Sequence, residues 1–229
     1  MDGSRRSILT SNNLIFTAAI AAGAIACAMS VAHSQQGKHM IAIDKMGVDG
    51  PPAEFNFART GQGDPAEWTV VSDASADGGR AIEQSSTDRT DYRFPLAIYT
   101  PIAVKNGEVS LRFKPMAGKV DQAGGIVMRL TDADNYYVVR ANANEDNVRF
   151  YRVVKGRREQ LEGANVKVAP NEWHTLGLKA EGDRFTVTYN GKQLYTATDS
   201  TFAAAGKIGL WTKADSVTRF DRIEINEQP

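Results

Sequence analysis

Ile126-Val-Met-Arg-Leu-Thr-Asp-Ala-Asp-Asn-Tyr-Tyr-Val-Val-Arg-Ala-Asn-Ala-Asn-Glu-Asp-Asn-Val-Arg-Phe-Tyr151 reads as three strands joined by two hairpin loops. Asp132-Ala-Asp-Asn135 and Ala143-Asn-Glu-Asp146 carry the Asp and Asn that turns favour. The first loop sets Thr131 opposite Tyr136, and the second sets Asn142 opposite Asn147. Because side chains alternate with period two, counting outward from the loops assigns every residue to a face. One face collects Ile126, Met128, Leu130, Tyr137, Val139, Ala141, Val148 and Phe150, which is a core. The other collects Arg129, Arg140, Asn142, Asn147, Arg149 and Tyr151. Arg140 then stands directly across from Arg149, an arrangement unfavourable by up to about 1 kcal/mol. Either nearby carboxylates or a ligand should offset it. A solvated outer face and a polar groove flanked by aromatics both fit this pattern.

Outward from that segment the texture repeats. Trp68–Val71, Val109–Phe113, Trp173–Lys179, Phe185–Tyr189, Lys207–Thr212 and Val217–Ile225 are short runs rich in Val, Ile, Tyr, Phe and Thr, with Gly, Asn, Asp or Pro between them. No long segment keeps a helical period. Many short strands at such spacing predict an all-β sandwich or barrel. Asn190-Gly191 is the preferred two-residue hairpin turn and places Val187 opposite Leu194. In the last strand Thr218 and Phe220 share one parity while Ile223 and Ile225 take the other. One extra residue near Asp221-Arg222 would bring both pairs to the core, so a β-bulge is expected there. In Gly206-Lys-Ile-Gly-Leu-Trp-Thr-Lys-Ala-Asp215, Ile208 and Leu210 point one way. Trp211, Lys213 and Asp215 gather where the strand runs out, an aromatic beside a cation and a carboxylate.

The amino-terminal segment has the features of an export signal. Arg5 and Arg6 precede an apolar, alanine-rich run from Leu14 to Ala28, and Ala32-His-Ser34 offers small residues for cleavage. The expected organisation is a signal peptide over 1–34, an irregular lead-in over 35–65 and a sandwich domain over 66–229, in a periplasmic or secreted protein. The apolar run falls short of the about 20 residues a membrane span needs, so no transmembrane span is expected in the mature chain. Cys27, the single cysteine, lacks the leucine that usually stands three positions before a lipoprotein cysteine. Lysine plus arginine and aspartate plus glutamate both number 27. With no net field there is no general attraction to nucleic acid.

Cofactor chemistry is not indicated. Asp132, Asp134 and Asn135 offer oxygens that calcium could use, but without EF-hand spacing, and turn chemistry accounts for them. A structural calcium ion is compatible with the sequence but not called for. The three histidines, His33, His39 and His174, form no cluster. No nucleophile elbow and no phosphate-binding glycine loop is present.

Four segments carry a family resemblance: Thr90-Asp-Tyr-Arg-Phe-Pro-Leu96; Phe113-Lys-Pro with Val120-Asp-Gln-Ala-Gly-Gly-Ile126; Asn135-Tyr-Tyr-Val-Val-Arg-Ala-Asn142 with Glu145-Asp-Asn147; and Gly209-Leu-Trp-Thr-Lys-Ala-Asp-Ser-Val217. Over roughly Trp68 to Ile225 the chain resembles exported bacterial proteins with a concanavalin A-like jelly-roll domain. These are related to laminin G-like modules and to 3-keto-disaccharide hydrolase-like domains. The resemblance implies two antiparallel sheets, one curved, with glycan or peptide partners on the concave face or at a rim of loops. The closely spaced alternating acids by which glucanases of this fold cleave a glycosidic bond are missing here.

Three functions follow as expectations. The first is a lectin-like carbohydrate binder in which Tyr151 and Trp211 stack on sugar rings while Arg140, Arg149, Asn142, Asn147 and Lys213 donate hydrogen bonds, with Arg129 and Asp215 as further ligand-binding residues. The second is an enzyme on 3-keto glycosides, its base drawn from Asp215, Glu145 or His174. The third is a protein-interaction module. The sequence does not specify the oligomeric state.

Overall fold

The computed structural model describes residues 1–3 and 37–228 of the 229. The expected signal peptide lies outside the described residues except for its first three. Among the described residues no helix is long and apolar enough to cross a membrane.

Fifteen strands form two antiparallel sheets. In chain order they are β1 Lys38–Met40, β2 Phe55–Gly61, β3 Trp68–Ser72, β4 Arg80–Gln84, β5 Arg93–Val104, β6 Asn106–Ala117, β7 Ala123–Asp132, β8 Asn135–Asn142, β9 Asn147–Val154, β10 Arg157–Asn165, β11 His174–Glu181, β12 Arg184–Tyr189, β13 Lys192–Thr198, β14 Gly206–Trp211 and β15 Val217–Gln228. Sheet A runs β13-β12-β11-β6-β15-β4-β3, with β1 also on β15. Sheet B runs β10-β9-β8-β7-β14-β5-β2. Among the described residues two short 3-10 turns, Ile43–Lys45 and Asp77–Gly79, are the helical elements.

The sheets pack face to face over one large core. Ile126, Met128, Tyr137, Val139, Phe150, Ile208 and Leu210 come from sheet B. Phe113, Leu176, Leu178, Phe185, Val187, Phe220 and Ile225 come from sheet A. Tyr137 is central. Its ring lies 4.6 Å from Phe185 and 5.7 Å from Phe150. Its hydroxyl donates to Asp199 Oδ1 at 2.6 Å, so the polar tip is satisfied.

The register read from the sequence holds between β8 and β9, where Arg140 pairs with Arg149 and Asn142 with Asn147. The bulge expected in β15 is present. Asp221 pairs with Arg112 and Glu224 with Ser110, Arg222 sits at φ 46°, and Phe220, Ile223 and Ile225 are all buried. Asn190 and Gly191 take φ 48° and 75°, as the mirror-image hairpin turn requires. A bulge two residues away sets Val187 opposite Tyr195 and not Leu194.

Two expectations are corrected. The stretch 35–65 is not irregular. β1 pairs with β15 and β2 forms an edge of sheet B, with Phe55 in the core. Pro and Gly punctuation on both sides of Phe55-Asn-Phe-Ala-Arg-Thr-Gly61 disguises this strand. The β7–β8 register also shifts between Met128 and Asp132. Arg129 there adopts φ 52°, and its side chain leaves the face it was assigned to. The irregularity sends Leu130 to the outer cluster of sheet B and not to the core between the sheets.

Sheet B is strongly curved. Thr60 at the end of β2 hydrogen-bonds the Tyr136 hydroxyl at 2.8 Å and the Ala133 carbonyl at 2.5 Å. The Tyr92 hydroxyl, just before β5, donates to Gly156 O at 2.7 Å and accepts from Arg158 N at 3.0 Å. β10, which carries Arg158, lies five strands from β5 in the sheet order, so a flat sheet with strands about 4.8 Å apart could not make these contacts. The sheet therefore curls until its edges meet at one end. Its outer face, turned away from sheet A, becomes the inside of a trough.

Candidate functional site: the trough of sheet B

The floor of the trough is aromatic. Phe94, Tyr136, Tyr151 and Trp211 form a second buried cluster with Leu96, Val127, Val138 and Val153. The Phe94 and Trp211 rings stack at 5.3 Å. From the β9–β10 hairpin Arg158 reaches over this floor. Its guanidinium lies 4.5 Å from the Tyr151 ring centre, 4.7 Å from Phe94 and 5.7 Å from Trp211. Such contacts contribute about 0.5–2 kcal/mol each, depending on desolvation. Nothing in the sequence singled out Arg158, because Lys155-Gly-Arg-Arg-Glu159 looks like an ordinary solvated turn.

The mouth of the trough, away from the edge-to-edge contacts, is polar. On one wall Arg140 donates to Glu145 Oε2 at 2.7 Å, to the Tyr151 hydroxyl at 3.1 Å and to Asn147 Oδ1. Asn147 Nδ2 donates back to Glu145 at 3.0 Å. On the other wall Lys213 Nζ lies 2.6 Å from both Asp91 and Asp121. Between the walls runs β7, where Gly125 pairs with Arg140 on one side and Trp211 on the other. A Cβ at Gly125 would stand 2.6 Å from Val139 O, so the row stays open there.

The ionisations follow from these contacts. Burial would raise the Glu145 carboxyl, but the Arg140 charge and the Asn147 hydrogen bond outweigh it and hold it low. The Lys213 hydrogen bond and charge hold Asp91 below the usual carboxylate range. Asp121 is 2 % exposed, and desolvation pushes it up despite Lys213. Burial opposes the Lys213 charge, but its two carboxylates prevail and raise it. The result is a pair of ion clusters with Glu145 and Asp91 outermost, their side chains 45% and 76% exposed.

Of the residues singled out in the sequence, Arg140, Asn147, Tyr151 and Lys213 converge at this mouth. Arg149 is one strand further along the row. It turns away from Arg140, crosses over Gly163 and donates to Asn165 Oδ1 at 2.6 Å. The like-charge pairing is thus relieved by Glu145 on one arginine and by reorientation of the other.

Four residues take other positions. Arg129 is buried far from the mouth. It donates to the carbonyls of Lys105, Phe202 and Gly182 at 2.6–2.9 Å and lies over Phe185. Trp211 is fully buried, so its ring offers no free face for stacking. Asn142 bonds Asp121 through Nδ2 and accepts from Asn144 N at 2.9 Å, which fixes the loop beneath the mouth. Asp215 accepts from the backbone N–H groups of Lys119, Val120 and Asp121 at 2.8–3.1 Å. It holds Asp121 within reach of Lys213 and does not face the trough. Arg93, also unmarked in the sequence, donates to Ala214 O at 2.7 Å and anchors the loop that carries Lys213.

Other polar candidates serve the fold. His174 lies between Ala169 O at 2.8 Å and the Tyr189 hydroxyl at 2.9 Å. Asp132 accepts from Asp134 N and Asn135 Nδ2 within its own turn. Among the described residues no group of three His, Cys, Asp or Glu side chains is arranged to hold a metal ion.

Residues 56–226 match the family model of the 3-keto-alpha-glucoside-1,2-lyase-like domain. A stretch of 89 residues is 30% identical to the levanase of Bacillus subtilis (strain 168); the match spans 38% of this chain and 13% of the levanase. Among solved structures, the carbohydrate-binding module CBM66 from Bacillus subtilis superposes with a TM-score of 0.59 at 20% identity, over 76% of this chain and 98% of the module. The Bacillus licheniformis beta-glucanase superposes with a TM-score of 0.54 at 14% identity, over 85% and 100% of the two chains. The fold is therefore the jelly-roll sandwich of the concanavalin A-like type expected from the sequence.

Proposed function

Because the chain belongs to the family of 3-keto-alpha-glucoside-1,2-lyase-like domains, we propose that it binds carbohydrate at the mouth of the sheet B trough. One observation carries the reading. Two cation–carboxylate clusters, Arg140 with Glu145 and Lys213 with Asp91 and Asp121, face each other across Gly125 above an aromatic floor. Sugar hydroxyls both donate and accept, and such paired groups offer both kinds of partner. A few convergent polar groups beside an apolar surface are the usual make-up of a small-molecule site. The similarity to a carbohydrate-binding module and to a segment of a levanase supports this class of ligand. The lectin-like role extends to an exported protein that meets glycans in the periplasm or outside the cell, in keeping with Arg5, Arg6 and the apolar run that follows.

The test is a glycan array with wild type and Arg140→Ala. Loss of the bound set in the variant is expected. Retention of the same glycans by Arg140→Ala would refute this surface.

A second reading is favoured by the family match and by Asp121. A carboxyl whose proton affinity burial has raised, 2.6 Å from Lys213, suits removal of the acidic proton beside a ketone. Lys213 would hold the enolate oxygen. The electron pair left on carbon would then form the carbon–carbon double bond as the glycosidic oxygen departs and takes up a proton. Incubation with a 3-keto-disaccharide and detection of released monosaccharide separates this from binding alone. Of the other bases considered, Asp215 is turned to the backbone of Lys119–Asp121 and His174 lies on β11 of sheet A, so neither faces the trough.

A further inference from the structure

Tyr151 is approached by two guanidinium groups. Arg140 lies 5.7 Å from its ring centre and Arg158 4.5 Å. Two like charges around one ring in a partly desolvated trough need anions near them. Arg140 has Glu145. Arg158 feels the Asp91 charge at a distance but forms no ion pair among the described residues, and its side chain makes no hydrogen bond there. Its Nη1 is buried with no partner, and so is Nε of Arg140. Both oxygens of Asp121 are engaged, by Asn142 and Lys213, and one oxygen each of Glu145 and Asp91 by Arg140, Asn147 and Lys213, which leaves their other oxygens at the exposed rim. The buried unmet groups of this cluster are therefore all donors, two on cations and the third the Trp211 indole N–H.

A neutral sugar hydroxyl fits this poorly, because it brings a donor of its own. A carboxylate accepts only, has two oxygens, and matches the fork of a guanidinium. We infer that the trough is built for an acidic glycan, with a uronate carboxylate seated between Arg158 and Arg140 above Tyr151. The inference rests on the carbohydrate-binding reading and names the class of sugar. Glu145 and Asp91 at the rim would take the neutral hydroxyls of the same residue. The ligand's charge is met inside the trough, where water is scarce and charge-assisted bonds are strong.

The test is calorimetric titration of the full chain with oligogalacturonate, with oligoglucuronate, and with neutral gluco- and fructo-oligosaccharides of equal length. Wild type, Arg158→Gln and Arg158→Lys are compared, and circular dichroism and thermal melts establish that each is folded. The expected result is preference for a uronate oligomer over its neutral counterparts. In Arg158→Gln that preference falls roughly ten- to hundredfold, the effect of one charge-assisted contact. Arg158→Lys keeps the charge and retains most of it. Affinity for the uronate should also fall as salt rises from about 0.05 to 0.5 M. Equal binding of neutral and acidic oligomers, or an unchanged preference in Arg158→Gln, would overturn the acidic-glycan inference and leave carbohydrate binding standing. If no oligosaccharide binds wild type, the carbohydrate reading fails and this inference falls with it.

Discussion

The two ends of the trough are built from the same strands and behave oppositely. At the closed end Thr60 and Tyr136 lock the edges of sheet B together, and Phe94 stacked on Trp211 fills the floor that leads from there to the mouth; all four are fully buried. At the open end, Arg140, Glu145, Lys213 and Asp91 continue the same rows of side chains, yet they are charged, and two of them reach solvent. The sheet needs its curvature to be stable, and the curvature leaves a polar mouth on the face not covered by sheet A. One end should therefore respond to mutation as a core does. The other should respond as a binding surface does.

The largest expected effect is at the closed end. Trp211→Ala removes a fully buried indole stacked on Phe94 and should destabilise by about 3–5 kcal/mol, measured by denaturant unfolding. A loss below about 1 kcal/mol would mean that the trough floor is not a core. Next comes Arg129→Ala, which strands the carbonyls of Lys105, Phe202 and Gly182. A loss of about 3 kcal/mol is expected, with no effect on ligand binding in the surviving folded fraction. Any specific loss of binding would return Arg129 to the site. The smaller effect is at the mouth. Glu145→Ala should lower stability by only about 1 kcal/mol, because Glu145 is half exposed and screened, while glycan binding is lost. Should the melt collapse instead, the mouth is structural.

The acid limb of a pH titration gives the smallest and sharpest contrast. Glu145 and Asp91 are held below their ordinary values, so their contribution is complete above about pH 4.5 and is lost as pH falls through the lowered values. Asp121 acts in the other sense. Raised by burial, it favours the fold below about pH 4 and less so as pH rises through its raised value. Lys213 is raised, so its contribution persists below about pH 10.4 and is lost as pH climbs through its own value. Binding measured against pH should therefore fall below about pH 4, where Glu145 and Asp91 take up protons, and above about pH 10.4, where Lys213 loses its charge. A midpoint between those limits would mark Asp121, whose carboxyl burial raises, as the controlling group.

Much of the fold could be read from parity. The clash between Phe220 and Ile223 announced its own bulge, and the Ala143–Asp146 loop set the Arg140–Arg149 row without error. What escaped were irregularities that leave no mark on the apolar pattern. Arg129 sits among apolar residues at a left-handed backbone angle that no turn residue flags, so simple alternation assigns it to the wrong face. Trp211 was placed on the outer face correctly. Its burial there was illegible, because it depends on curling that brings Thr60 to Tyr136, 76 residues away. Arg158 was missed for the same reason. The aromatic rings that make it unusual arrive from β5, β9 and β14. Local sequence specifies which residues share a face; the curvature that turns the face into a site is set by contacts between strands far apart in the sheet.

The most direct test joins both ends of the trough in one experiment. Wild type and the double variant Arg140→Ala/Lys213→Ala are titrated with the best ligand from the glycan array, and their thermal melts are recorded in the same buffer. Loss of binding in a variant that still melts as a single cooperative transition is the predicted result. Undiminished binding by that folded variant would contradict the assignment of the mouth as the carbohydrate site.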